Sequence, residues 1–537
     1  MSIKFESETK KLIDELKNVC NNAGLGNDGN EYKVITQAFL YKFLNDKFFH
    51  DVRQIKKYTS SDDIPKILKT FTSDEYEMLL LELNENTAKL YPHQFLNNLF
   101  QKQNDNNFAQ IFDDALIEIS SNNNEIFSIV TSGGQKIKIL ESISQHVSDN
   151  KDSFCRAIVN KLINFSFENV FDKGFDFFSI IFEYLIQDYN SNSGSTYAEY
   201  FTPFSISKII SKCLIKRKQS NVVCYDPSAG SGTLLMCLGN ELGEKNCTIF
   251  SQDISQKSSH LLRLNLILNN LVHSIPNIIQ GNTILEPYHK EKNALKKFDY
   301  IISNPPFNTD FSDYRNDLDT KENKERFFAG IPKIPKKKKQ QMPIYTMFLQ
   351  HILYSLKKNG RAAVVVPEGF ISAKSGIENI ILKHLVEQKK ISGVISLPGK
   401  VFANTPTNVS IIFIENDKKN DKVVLIDAAD VGSIIKDQNK ERLILTEEDQ
   451  LRITKAFIEE KTVGEFCTTT NYDEIKTRGY SLNPGQYFEI KYDYDDINSE
   501  DLNKTIENFV QETSALKKKS NQIEKDINSS LKKIKIK

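Results

Sequence analysis

Asp226-Pro227-Ser228-Ala229-Gly230-Ser231-Gly232-Thr233-Leu234-Leu235 is the stretch on which the fold assignment turns. It follows a short apolar run, Val222-Val223-Cys224-Tyr225, and leads into an apolar segment that reads as helix. Strand, Gly-rich turn and helix in that order begin a doubly wound α/β domain. The glycines let the backbone pass close to a ligand without interference from a Cβ. Asp226 closes the strand, where an acid can reach a ligand's amine or hydroxyl. A Gly-rich turn after a strand is also an ordinary structural turn, so this stretch does not define a chemistry by itself.

A second stretch narrows the choice. Phe298-Asp299-Tyr300-Ile301-Ile302-Ser303 reads as another buried strand and runs straight into Asn304-Pro305-Pro306-Phe307. The two prolines end the strand abruptly and rigidify the turn. They leave an amide and an aromatic ring at a strand's carboxyl end, where open α/β sheets bind ligands.

Together the two stretches resemble the paired signatures of the amino-methylating DNA methyltransferases, a D-P-x-x-G-x-G cofactor turn and an N-P-P-F/Y catalytic turn. Within that family the chain most resembles the modification subunit of a type I restriction-modification system. The resemblance implies an α/β, S-adenosylmethionine-dependent methyltransferase fold. That fold is Rossmann-like with a seven-stranded mixed sheet, here flanked by an N-terminal helical domain and a C-terminal helical tail. It implies S-adenosyl-L-methionine as cofactor, at Asp226, Pro227, Ala229, Gly230, Ser231, Gly232 and Thr233. Asn304, Pro305, Pro306 and Phe307 are then the catalytic residues.

Length and composition set bounds on this reading. The chain has 537 residues, enough for about three domains at ~100–200 residues each. Acids and bases balance at 70 each. A protein that held DNA alone would usually be basic, so neutrality points to a local basic surface or to a partner that supplies much of the grip. The seven cysteines are scattered, with no C-x-x-C pair and no Cys/His cluster at metal spacing, so no metal site is expected. They suit a reducing, cytoplasmic compartment. The N-terminus mixes acids and bases and does not read as a signal peptide. No apolar run approaches ~20 residues, so no membrane span is expected.

Residues 1–165 read as a helical domain with polar connections. Its apolar stripes are Leu12, Ile13, Leu16 and Val19; Tyr32, Ile35, Phe39, Leu40 and Phe43; and Tyr76, Leu79, Leu80 and Leu83. The resemblance implies that this domain helps to hold DNA. Residues 166–415 read as the catalytic domain. Near its start, Phe177 to Tyr189 reads as an apolar helix and Asn190 to Ser195 as a hinge. Thr202-Pro203 reads as a helix start, Thr as cap and Pro at the first position. The resemblance places Glu199, Tyr200, Phe201, Thr202, Pro203 and Phe204 at the methionine end of the cofactor; helix-start amides suit a carboxylate. Where many family members have Gly-Gln, this chain has Ala198-Glu199.

Thr248 to Phe250 reads as the second strand, ending at Asp253, which can accept from both ribose hydroxyls or cap the following helix. Ile278 to Gln280 is a third. The resemblance sets Asn282 where family members often carry an Asp against the cofactor's adenine amine; a polar turn residue is the alternative. Ala362–Val366, Ile391–Leu397 and Val409–Ile414 complete seven strands, the last two like the antiparallel hairpin of the fold. Between Asn308 and Met342 the chain is polar and carries Lys333-Ile334-Pro335-Lys336-Lys337-Lys338-Lys339. That is too long for an ordinary connection and reads as a functional or mobile loop, placed to lie against a nucleic-acid backbone or simply solvated.

Residues 416–500 form a C-terminal extension with a strand at Val423–Ile426 and a break at Tyr480-Ser481-Leu482-Asn483-Pro484. From 501 to 537, Leu502, Ile506, Phe509, Val510, Leu516, Ile523, Ile527 and Leu531 fall near heptad spacing. This reads as a partner-binding helix, or one that packs on its own domain.

The implied chemistry is specific. An adenine or cytosine amino nitrogen is a poor nucleophile because its lone pair is delocalised into the ring. The Asn304 side-chain oxygen and the Pro305 carbonyl, set on its two hydrogens, would localise that pair; Phe307 would stack on the base. The base must first be flipped out of the duplex. No Pro-Cys pair exists, which argues against carbon-5 methylation. No G-x-x-x-x-G-K-[ST] occurs, so a translocating motor would belong to another subunit. The order of motifs, with the F-T-P segment before the cofactor turn, is that of a class of adenine-N6 enzymes. The modest tail favours a chain whose sequence reading comes from a separate subunit. The resemblance then implies these partners: double-stranded DNA, a specificity subunit shared by two modification subunits, and a restriction subunit. The rival readings are a self-contained adenine methyltransferase, a glutamine-amide methyltransferase and a non-catalytic cofactor-binding assembly subunit.

Overall fold

Val222–Asp226 forms a strand because its side chains are apolar or aromatic and buried on both faces, the pattern of a sheet covered by helices on both sides. The computed structural model describes residues 2–26, 29–59, 62–168, 171, 184, 202–217, 219–399, 401–402, 408–437, 440–488 and 499–533. The helix expected over Phe177–Tyr189, the hinge at Asn190–Ser195 and the segment Glu199-Tyr200-Phe201 lie outside the described residues.

The main sheet has eleven strands among the described residues. They are β1 (Ile129–Thr131), β2 (Lys136–Ile137), β3 (Val222–Asp226), β4 (Cys247–Asp253), β5 (Ile278–Gln280) and β6 (Phe298–Ser303). Then come β7 (Leu356–Pro367), β8 (Ile391–Ser396), β9 (Val409–Glu415), β10 (Val423–Asp427) and β11 (Cys467–Thr470). Their order is β11-β10-β8-β9-β7-β6-β3-β4-β5-β1-β2. Strands β3 to β7 run parallel. β9 is inserted antiparallel between β7 and β8. All seven expected strands are present, with β8 and β9 as the reversed pair.

Four strands lie beyond those seven. β10 and β11 widen one edge, and β1 with β2 widens the other, through Val130 opposite Ile279 and Thr131 opposite Gln280. Residues 1–165 are therefore not wholly helical. β1 is three residues long, too short to show a period of its own, and it is templated by the edge of β5. The helical stripes behave as expected: Leu12, Ile13, Leu16, Phe39, Phe43, Leu79 and Leu80 are all buried. The long helix Gly29–Lys56 is buried even at its polar positions, where Lys42 Nζ reaches Asp46 Oδ1 at 2.8 Å and Phe167 N donates to Asp46 Oδ2 at 2.8 Å.

Asn308–Met342 is structured rather than a free loop. Phe311, Leu318, Phe327 and Met342 form a small core with Ile284, Ile344, Met347 and Phe348. All seven cysteines are buried, and none forms a disulfide. Among the described residues no helix is long and apolar enough to cross a membrane. Met1–Tyr487 and Phe488–Lys537 are separate compact units. The second contains the 35-residue helix Ser499–Lys533. Its apolar stripe, including Phe509 at 71% and Leu516 at 67% exposure, is uncovered.

Candidate active site

The carboxyl ends of β3, β4 and β6 lie side by side, and each ends at or directly before a residue singled out from the sequence. After β3 the chain enters the turn at Asp226. Gly232, at φ +83°, starts the helix Thr233–Leu242, and a Cβ there would sit 2.1 Å from Leu262 Cδ1. An L side chain there would be strained by the conformation and would displace the Leu262 side chain of the helix Gln256–Leu268. Gly230 is also left-handed, at φ +53°.

Asp226 is 1% exposed. Its Oδ1 accepts from Ser228 N at 2.9 Å, while Oδ2 is buried and has no hydrogen-bond partner. The Ser303 hydroxyl is near enough to stabilise the carboxylate but bonds to Ser228 Oγ, at 2.7 Å. Burial outweighs these hydrogen bonds and pushes the Asp226 carboxyl up to about 7. A buried, unpaired carboxylate oxygen costs free energy unless a ligand donates to it. Asp253, at the end of β4, is also raised by burial, yet both oxygens are used: Gly230 N donates to Oδ2 at 2.9 Å and Ser255 N to Oδ1 at 2.8 Å. Asp253 thus holds the glycine turn as well as facing the site.

Asn282 folds its own turn. Its Oδ1 accepts from Ile284 N and Leu285 N, both at 3.1 Å, so a ligand amine would have to share that oxygen. Thr283 ties this turn to the first, donating from Oγ1 to Pro227 O at 2.6 Å.

After β6, Pro305 is buried, Asn304 and Phe307 are half-buried and Pro306 is exposed. Asn304 Nδ2 donates to Thr202 Oγ1 at 3.1 Å. Thr202, expected to cap the next helix, is therefore not its cap. Pro203 occupies that position, the helix runs Phe204–Leu214, and Ser207 N closes its first turn on Pro203 O at 3.0 Å. The Thr202 hydroxyl is drawn instead to the amide. Phe307 meets the Tyr345 ring edge-on at 6.3 Å, and Tyr345 meets Phe370 in the same way at 6.2 Å.

One buried group carries no motif. Arg326 is 3% exposed and donates to Thr283 O and Ile284 O, each at 2.8 Å, and to His351 Nδ1 at 3.0 Å. Because Nδ1 accepts, the His351 proton sits on Nε2, which reaches Tyr225 Oη at 3.2 Å. Burial and the Arg326 charge hold His351 neutral, well below its usual range. Arg326 so clamps the Asn308–Met342 excursion to the Asn282 turn and to the residue before Asp226. Only its setting among carboxyl-end turns marks it out; an arginine in a polar stretch gives no sequence signal.

A cavity of ≈570 Å³ opens among Lys47, Asn221, Lys245, Cys247 and His273. It lies at the amino ends of β3 and β4, opposite the ends where such sheets bind ligands, and is not this site.

A strand-end acid with one free oxygen, a glycine turn and an Asn-Pro-Pro-Phe turn stand together at neighbouring carboxyl ends, as the resemblance to amino-methyltransferases implies. The chain belongs to the N-6 DNA methylase family, whose model matches residues 173–496. It is 25% identical over 549 residues to the type I restriction enzyme MjaIX methylase subunit of Methanocaldococcus jannaschii, covering 97% of this chain and 90% of that one. It is 28% identical over 361 residues to the MpnII methylase subunit of Mycoplasma pneumoniae, covering 66% of this chain and 64%, just under two thirds, of that protein. The fold matches that of the methyltransferase subunit of a type I restriction-modification system from Streptococcus thermophilus, with TM-score 0.72 and 22% identity over 90% of this chain and all of that one.

Proposed function

We propose that this chain transfers a methyl group from S-adenosyl-L-methionine to N6 of an adenine drawn out of duplex DNA, as the modification subunit of a type I restriction-modification enzyme. The observation that carries this reading is the Asn304 amide. Its nitrogen is committed to Thr202 Oγ1, and among the described residues nothing donates to its oxygen. An amide pinned through its nitrogen presents its oxygen in one direction.

The cofactor supplies a methyl on a sulfonium centre, already activated for displacement. The residues present fit it. Asp226 Oδ2 is a buried acceptor with nothing to accept, suited to an amine or hydroxyl. Asp253 would face the ribose hydroxyls and Asn282 the adenine. Glu199, Tyr200 and Phe201 enter by resemblance alone, with Thr202, Pro203 and Phe204 leading into helix-start amides that suit a carboxylate. Asn304 Oδ1 and the Pro305 carbonyl would accept the two hydrogens of the target amine, drawing its lone pair out of the ring. Phe307 would stack on the extruded base, worth roughly 1–3 kcal/mol against the few kcal/mol of unstacking.

The relatives named as methylase subunits of type I restriction enzymes support an assembly with other subunits; a specificity subunit shared by two modification subunits, and a restriction subunit, are what the resemblance implies. The uncovered stripe on Ser499–Lys533 is the surface this chain offers a partner. The test is methyl transfer from labelled S-adenosylmethionine to DNA lacking the modification, by the chain alone and with the specificity polypeptide encoded beside it. Transfer only with the partner, lost in Asn304→Ala, is expected. Site-specific transfer by the chain alone would replace the subunit reading with a self-contained enzyme.

A further inference from the structure

The Asn308–Met342 excursion separates its charges. From Asn308 to Glu325 it has six acids against three bases; from Arg326 to Met342 it has six bases and no acid. Arg326 is buried as a clamp. The other five, Lys333 and Lys336–Lys339, are exposed, and among the described residues no carboxylate lies within ion-pair distance of their ammonium groups. Lys339 acts on Asp310, whose carboxyl is held low first by the Ser312 amide and hydroxyl and only last by that lysine.

Unpaired lysines are usually a solvated face, and two features set these apart. First, the run is held at both ends. Arg315 donates from Nε to Pro332 O at 3.2 Å and from Nη2 to Ile331 O at 3.4 Å, directly before Lys333. Met342, just past the run, is buried, and its carbonyl accepts from Thr309 N at 3.1 Å. Second, the far end of the run abuts the catalytic turn. Asn308 and Thr309 follow Phe307 directly. Asn308 is best satisfied with its amide donating to Phe307 O at 3.2 Å and Gln341 O at 3.3 Å. Tyr345, shortly after the run, meets the Phe307 ring. The excursion therefore holds a band of free positive charge at the edge of the base pocket.

The geometry points to Lys333 and Lys336–Lys339 as a phosphate-binding rim that grips the backbone flanking the extruded nucleotide. The inference rests on the adenine-methyltransferase reading and deepens it. In a chain of zero net charge, this rim is where the catalytic subunit takes its own sequence-independent hold on DNA, apart from any partner that reads the sequence. Phosphate neutralisation releases counterions, so each lost contact makes log K less steep against log salt by about 0.9.

The experiment uses the full chain assembled with its specificity polypeptide. Three proteins are compared: wild type, a variant carrying Lys336→Gln, Lys337→Gln, Lys338→Gln and Lys339→Gln, and one with arginine at the same four positions. Binding to a target duplex and an unrelated duplex is measured over a salt series, with 2-aminopurine fluorescence at the target position and methyl transfer alongside. The glutamine variant is expected to lose roughly 2–4 of salt slope on both duplexes and about 10–100-fold in affinity near physiological salt. Its 2-aminopurine signal should fall, its S-adenosylmethionine affinity should be unchanged, and the arginine variant should behave as wild type. If the wild type methylates and the glutamine variant keeps its slope, the rim is overturned and the function stands. If the slope falls as expected but the wild type transfers no methyl, the rim stands and the function is overturned.

Discussion

The two turns at the ends of β3 and β6 are built in opposite ways. Asp226–Thr233 is held by itself and by the neighbouring strand ends: the Ser228 amide on Asp226, Ala229 O accepting from Gly232 N at 2.8 Å, Asp253 on Gly230, Thr283 on Pro227 O and Ser303 on Ser228 Oγ. Asn304–Phe307 is held from far along the chain, by Thr202 on one side and Tyr345 on the other. The first turn is complete once its own strands have formed. The second depends on segments on both sides of it being in place, including one that returns only after the 308–342 excursion. Binding and chemistry should therefore separate under mutation.

The sharpest break is Asn304→Ala. It removes an acceptor that acts only on the reacting amine, so methyl transfer should fall on the order of 10²–10³-fold while S-adenosylmethionine binding, measured by calorimetry, stays within about twofold. A matching loss of cofactor affinity would mean that the two turns are one unit. Asp226→Asn should do the reverse. Losing a charge-assisted hydrogen bond of about 1.5–3 kcal/mol lowers cofactor affinity by roughly 10–100-fold. The ligand-free protein should melt slightly higher at pH 8, because the substitution removes a buried charge whose free oxygen has no partner in the fold. A lower melting temperature would make Asp226 a structural residue.

The same acid predicts a pH dependence confined to the cofactor turn. In the unfolded chain an aspartate titrates near ~3.9; in the fold burial pushes Asp226 up to about 7. Between those values the folded state binds the extra proton, so this group's contribution to stability is present at low pH and is lost as pH rises toward 7. Cofactor binding needs the carboxylate, so affinity should fall by up to tenfold per pH unit below about 7. Asp226→Asn should flatten that dependence, and Asn304→Ala should leave it intact.

What the sequence disclosed follows the same division. The cofactor turn, the seven strands from Val222 to Ile414 and the stripes of the N-terminal helices were legible because each is written in consecutive residues or in one period. β1 was not, since Ile129–Thr131 becomes a strand only against the edge of β5. Arg326 was not, because nothing near it shows that Thr283 O, Ile284 O and His351 Nδ1 will converge on it. The excursion read as a functional or mobile loop, and its packing was not legible because its core is assembled partly from Ile284 and Met347, outside its own span. Thr202 was misread as a cap for the same reason. Thr-Pro before an apolar run is a sound local signal, and the partner that overrode it lies 102 residues away.

That partner makes the most delicate test of the contrast. An amide has an oxygen end and a nitrogen end, and only the oxygen can accept from the target amine. Thr202 Oγ1 accepts from Nδ2 and so anchors the amide with its oxygen turned away from the hydroxyl. Thr202→Val keeps the shape and removes the acceptor, so the Asn304 amide can rotate and present its nitrogen for part of the time. The hydrogen bond lost is worth about 0.5–1.5 kcal/mol, so turnover should fall by roughly 2–10-fold with cofactor affinity unchanged. Thr202→Ser, which keeps the hydroxyl, should restore turnover. Had Thr202 been a helix cap, Thr202→Val would lower the melting temperature and leave turnover alone. A change in turnover without a change in melting is the result that assigns Thr202 to the catalytic turn, although the residue lies before the cofactor turn in the chain.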